Sequence, residues 1–177
     1  MNRIHEAIVF ASRKHNGQVR KGTDIPYFSH CAEVMQILTV DGLADDIIIS
    51  GILHDTLEDT NTSPEEILDL FGESVLKIVI AESEDKSKSW KERKQATIDR
   101  LVDASPAVKT VCLADKLANL RSMAADLESV GDKLWDRFNA PKADIEWYYR
   151  GIAAALPELA GYKMYEELNS LLGEVFK

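Results

Sequence analysis

From residue 2 to residue 175 the apolar side chains of this chain return every three to four positions, and no segment alternates apolar with polar residues over the length of a strand. That period belongs to the α-helix, so the pattern predicts an all-α fold. Ile4, Ala7, Ile8 and Ala11 share one face of a helix over residues 2–15. A polar loop with Gly17, Gly22 and Pro26 follows, and Ser29 is a plausible N-cap for a second helix carrying Val34, Ile37 and Leu38. Asp41-Gly42 breaks that helix, and a third runs over residues 44–57. The isoleucines at 47–49 suit a strand locally, but they continue at helical spacing and have no partner strand. Ser63-Pro64-Glu65-Glu66 is a strong helix start, with Ser as cap, Pro at the first position and Glu66 placed for a capping box. That helix ends near Phe71-Gly72 and another runs to Glu82. After a charged loop at 83–89, helices are expected over 90–103, 106–125, 128–138, 141–155 and 159–175. The sum is about eight to ten helices in a single domain spanning residues 1–177.

Charge and cysteine content narrow the function classes. The net charge of −9 disfavours non-specific nucleic-acid binding, which needs a basic footprint. Basic residues gather only at Arg20-Lys21 and from Lys86 to Lys94, so an anionic partner would be small and held locally. No apolar run reaches the length of about 18 residues that a membrane span requires, and the N-terminus lacks the order of a secretory signal. Two isolated cysteines, Cys31 and Cys112, sit in apolar stretches and read as buried free thiols, which fits a reducing cytoplasm.

Polar residues standing where apolar ones belong carry the chemistry. In the third helix Ile48, Ile52, Asp55 and Asp59 share a face, and Ile47, Gly51, His54 and Glu58 share the adjacent one. Asp115 and Asn119 share a face with Val108, Val111 and Cys112, and His30 shares one with Val34 and Ile37. An inward carboxylate is costly unless paired or bound to a metal. Each residue alone reads as a hydrogen-bonded core group or a cap; together, His30, His54, Asp55 and Asp115 can hold one divalent cation. A nitrogen and oxygen set without thiolate suits Mn²⁺ or Fe²⁺ as well as Zn²⁺. His15, on an inward face, reads as a structural hydrogen-bonding residue, and Arg121 as a cation near a helix C-terminus.

Three segments resemble one family. His54-Asp55-Thr56-Leu57-Glu58-Asp59-Thr60 is similar to the HDxxEDT signature of RelA/SpoT-type hydrolase domains of the HD superfamily. Arg20-Lys21-Gly22 with Pro26-Tyr27-Phe28-Ser29-His30 resembles their RKxG…PYxxH segment, and Leu113 to Arg121 their LADRxxNxR segment. The likeness runs from about residue 3 to residue 155, and the length resembles the small stand-alone alarmone hydrolases. It implies an HD helical bundle and Mn²⁺ held by His30, His54, Asp55 and Asp115. It also implies catalytic carboxylates at Glu58 and Asp59, base and phosphate contacts at Arg20 and Lys21, and a ribose contact at Asn119. Lys116 and Ala118 stand where the long enzymes of the family commonly have Arg and His.

The expected reaction is metal-dependent hydrolysis of the 3′-pyrophosphate of (p)ppGpp to GDP or GTP and pyrophosphate. One of Glu58 and Asp59 would take or orient a proton while the other places the water. Lys86, Lys91 and Arg93, around Trp90, are candidate phosphate ligands. Two other readings stand beside this one. An HD phosphohydrolase for pppApp, NADPH or a dNTP would share the cation site, and a non-catalytic alarmone-binding module should have lost a ligand or carboxylate.

Overall fold

Side-chain capping fixes where four of the helices begin. A computed structural model describes residues 2–177. Asn2 Oδ1 accepts a hydrogen bond from the Ile4 N–H at 2.8 Å and opens α1, Arg3–Lys14. Ser63 and Glu66 form a reciprocal capping box with Pro64 in the first turn of α5, Pro64–Phe71, as the sequence predicts. Gly72, at φ 89°, turns the chain into α6, Glu73–Glu82. A second capping box, Ser89 with Glu92, opens α7, Trp90–Asp103, and Ser105-Pro106 opens α8, Pro106–Val130. The chain closes with α9, Lys142–Ala154, and α10, Lys163–Val175.

α8 is the central element. Every residue from Val108 to Asp115 is buried, so this part of the helix has no solvent face. It packs against α2 (Phe28–Val40), α3 (Asp45–Leu53), α6, α9 and α10. Fully buried leucines such as Leu113, Leu117 and Leu120 each contribute roughly 1.5–3 kcal/mol through removal from water. α2 and α3 approach closely at Gly51, where an added methyl would overlap Leu38 Cδ1 and lie 3.1 Å from Val34 Cγ1. Among the described residues there is no strand beyond one isolated bridge, Val19 with Pro26, inside the loop that carries Arg20 and Lys21. No helix among them is long and apolar enough to cross a membrane.

Five stretches differ from expectation. α2 begins at Phe28, so Ser29 lies inside the first turn, its N–H bonded to the Pro26 carbonyl at 3.0 Å, rather than capping the helix. The third helix stops at Leu53, and a separate turn of helix, α4, covers Thr56–Asp59. At that break His54 Nδ1 lies 2.8 Å from the Gly51 carbonyl and Thr56 Oγ1 donates to the Leu53 carbonyl at 2.7 Å, so side chains satisfy the carbonyls near the helix end. α8 continues to Val130, which leaves Arg121 within the helix, bound through two nitrogens to Glu167 at 2.7 Å. Residues 131–137 are a 3₁₀ segment, and Pro157–Leu159 another, because Gly131 (φ 61°) and Pro157 interrupt regular α geometry.

Candidate metal centre

His30 stands in the first turn of α2, His54 and Asp55 occupy the break between α3 and α4, and Asp115 is buried on α8. Their side chains converge. The two Nε2 atoms of His30 and His54 are 3.3 Å apart. Asp55 Oδ2 lies 2.9 Å from His54 Nε2 and 3.8 Å from His30 Nε2. Asp115 Oδ1 lies 3.1 Å from His30 Nε2 and 3.7 Å from His54 Nε2. On a continuous helix His54 and Asp55 would diverge by about 100°; the break lets both face one point.

These atoms fit a divalent cation. Only a protonated Nδ1 can donate to the Gly51 carbonyl, so neutral His54 turns its Nε2 lone pair inward, as a metal-binding imidazole must. The Tyr27 hydroxyl donates to Asp55 Oδ2 and Asn119 Nδ2 donates to Asp115 Oδ1, each at 2.6 Å, which orients both carboxylates. Burial favours protonation of Asp115, but Lys116 and the two imidazoles outweigh it and hold this carboxyl well below the usual range. Burial lowers the pKa of His30; for His54 it acts the same way but is overcome by Asp55 and Asp115, so the imidazole is raised. The protein thus brings two carboxylate oxygens and two ring nitrogens to face one another.

Glu58 and Asp59 follow on α4. Glu58 Oε2 accepts from the Glu84 N–H at 3.1 Å, and burial raises the Glu58 pKa. Lys86 bonds to the Glu58 carbonyl and to Asp59 Oδ1, both at 2.8 Å, and lies 3.6 Å from Glu58 Oε1. The cluster opens into a cavity of about 190 Å³ that Glu58, Glu82 and Glu84 also line. A second cavity of about 550 Å³ adjoins it, and Arg20, Tyr27, His30, Lys94, Lys116 and Asn119 line both. Arg20 stands 5.6 Å from the Tyr27 ring centroid and bonds to Asn119 Oδ1 at 2.6 Å, so the guanidinium is fixed at the junction.

The structure brings His30, His54, Asp55, Asp115, Glu58, Arg20, Arg93 and Asn119 around the smaller cavity, with Arg93 paired to Glu84 at 3.3 Å. Lys21 lines the larger cavity and bonds to Asn139 at 3.0 Å. Lys86 faces the α4 carboxylates, and Lys91 lies on the surface, 3.6 Å from Asp144 and 5.5 Å from the Trp147 ring centroid. His15 is buried, bonds to Gln18 at 2.7 Å and stacks on Tyr27, as a structural histidine should. Cys31 and Cys112 are buried free thiols. From sequence alone, Tyr27, Lys116 and Glu82 had no site role, and Lys94 belonged only to the basic stretch from Lys86 to Lys94. Lys116 carried a signal, since a lysine sits between Asp115 and Leu117 within a run of otherwise buried positions.

Known proteins resemble this chain over most of its length. The HD domain family matches residues 7–145. Guanosine-3′,5′-bis(diphosphate) 3′-pyrophosphohydrolase MESH1 of Homo sapiens is 34% identical over 175 residues, covering 97% of this chain and 92% of the human protein. The Mus musculus protein of the same name is 40% identical with the same coverage. The solved structure of a metazoan ortholog of SpoT, described as hydrolysing ppGpp and playing a role in starvation responses, aligns with a TM-score of 0.80 at 27% identity, covering 98% of this chain and 96% of that one.

Proposed function

The chain belongs to the HD domain family, and on that premise we propose that it removes the 3′-diphosphate of guanosine 3′,5′-bis(diphosphate), using the joined cavities described above. It is a phosphohydrolase that cleaves ppGpp, yielding GDP (or GTP from pppGpp) and pyrophosphate. One observation carries the reading: two imidazole nitrogens and two carboxylate oxygens meet beside Glu58, at the point where a small acidic cavity opens into a larger aromatic and basic one.

On this reading His30, His54, Asp55 and Asp115 hold the divalent cation, and Mn²⁺ is the physiological metal. When bound, such a cation polarises a phosphoryl oxygen and makes hydroxide available near neutral pH. The protein's own groups do the rest. Burial raises the proton affinity of Glu58, and the Glu84 N–H fixes its Oε2, which leaves Oε1 to accept a proton from the attacking water. Asp59, oriented by Lys86, holds that water in place. The water oxygen bonds to the phosphorus on the ribose 3′ oxygen, the P–O3′ bond breaks, and the 3′ oxygen leaves with a proton from solvent, to which Glu58 later returns its own. Arg20, fixed over Tyr27 and tied to Asn119, offers a flat cation for the purine, Lys21 reaches a phosphate, and Asn119 reaches the ribose. Arg93, on the wall of the smaller cavity, is placed to contact a phosphate, and Lys86 and Lys91, paired with Asp59 and Asp144, add positive charge nearby. The whole chain, residues 1–177, acts as a single cytoplasmic domain with two reduced thiols, and its partner is a small anionic nucleotide.

Product analysis tests this reading. Purified protein with Mn²⁺, with and without chelator, is offered ppGpp, pppGpp, pppApp, dNTPs and NADPH side by side. Release of GDP and pyrophosphate from ppGpp, lost on chelation, is expected. Turnover of another substrate with the guanosine 3′-diphosphates untouched would replace the proposal. Tight binding of ppGpp without any product would make the protein a binding module.

A further inference from the structure

Two ammonium groups that the reaction above leaves unused stand at the junction of the two cavities. Lys94 on α7 and Lys116 on α8 each line both. Both stand over the same ring: Lys94 Nζ is 5.0 Å and Lys116 Nζ 5.7 Å from the Tyr148 centroid. The electron-rich face of a tyrosine attracts cations, so Tyr148 gathers two like charges that repel one another. Their counter-charges are incomplete. Glu84 answers Lys94 at 2.7 Å but also faces Arg93 at 3.3 Å, one carboxylate for two cations. Asp115 answers Lys116 but is committed to His30 and Asn119 as well. Both ammonium groups thus face the junction of the cavities, and two cations held side by side suit an anion with more than one charge. A phosphate chain seated beside the metal centre therefore has both lysines on the wall of its cavity.

We propose that Lys94 and Lys116, on the Tyr148 platform, form the subsite for the outer phosphate of the departing diphosphate, and so make the protein select a diphosphate over a monophosphate. The inference rests on the reading that the chain cleaves a 3′-diphosphate.

Calorimetric titration of the intact, metal-loaded protein with inorganic pyrophosphate and with orthophosphate tests it. Lys94→Gln should weaken pyrophosphate binding roughly tenfold or more, the loss of one charge-assisted contact, and orthophosphate binding much less. Lys94→Arg should restore most of the affinity. Tyr148→Phe keeps the ring and removes a hydroxyl that is buried without a partner, so it should bind pyrophosphate like the parent and melt no lower. Lys116→Gln, read together with its cation content because Lys116 touches Asp115, serves as the second variant. Unchanged pyrophosphate affinity in folded Lys94→Gln and Lys116→Gln would overturn the subsite, as would an equal loss for both anions. If the parent protein turns over ppGpp and the variants bind pyrophosphate normally, only the subsite falls. If the variants lose pyrophosphate but the parent leaves ppGpp intact, only the proposed reaction falls.

Discussion

Lys86 reaches across from the loop after α6 and pairs with Asp59, Nζ to Oδ1 at 2.8 Å, while also bonding to the Glu58 carbonyl. A lysine in a basic stretch thus faces the carboxylates of α4. Its replacement by alanine should lower kcat by about three- to thirtyfold and leave KM within about threefold, because an exposed pair contributes only about 0–1 kcal/mol to stability and its remaining effect is on orientation. Steady-state kinetics with ppGpp decide this; a large rise in KM with kcat unchanged would make Lys86 a substrate ligand.

Glu58→Gln should retain the cation and lose roughly 10²–10⁴-fold in kcat, the usual worth of general-base assistance. Metal content and single-turnover rates on the same preparation test the pair of statements. An unchanged rate would remove Glu58 from the reaction.

Asp55→Asn should abolish cation binding and turnover while preserving the helical circular dichroism signal, since Asp55 sits at the break between α3 and α4 and supports no helix hydrogen bond through its side chain. Tyr27→Phe removes the 2.6 Å hydrogen bond to Asp55 and should weaken metal affinity about 10–100-fold, because partners of ligands orient them. Metal titration of both variants checks the ranking; full occupancy in Asp55→Asn would break the ligand assignment.

Glu82 supplies a pH test in metal-free protein. Burial raises its carboxyl to about 7, and its Oε1 has no hydrogen-bond partner. The folded pKa lies above the ordinary glutamate value, so folding favours the protonated form. That contribution is complete below about pH 4.5 and disappears as pH rises through about 7. Glu82→Gln should therefore melt higher than the parent at pH 8, by on the order of a few °C, with the gap closing at pH 5. Parallel melting curves across that range would show that Glu82 does not titrate there.

Much of this is legible in the sequence. Periodicity placed α1 and α7, and Ser63 marked the start of α5 because it acts locally on the next turn. His30, His54, Asp55 and Asp115 stood out because ionisable groups on core-facing stripes need a reason to be there. The break after Leu53 was illegible: it comes from His54 and Thr56 taking carbonyls of their own chain, which residue identities alone do not reveal. The 3₁₀ segment at 131–137 was missed because its apolar spacing resembles that of a short α-helix. Among the basic residues, tertiary placement decided everything. Lys91 and Lys94 are one turn apart on α7, yet one meets Trp147 on the surface and the other lies between the cavities.

Gly51 joins two requirements in a single peptide unit. Its missing side chain lets α2 settle against α3, and its carbonyl fixes the ring of His54. The gap between the helices is thereby also the gauge of the ligand cage, since His30 rides on one helix and His54 ends the other. A bulkier residue at position 51 would act as a shim, spreading the imidazoles while most of the core stayed closed. The first symptom would be a weakened grip on the cation, ahead of any loss of helix.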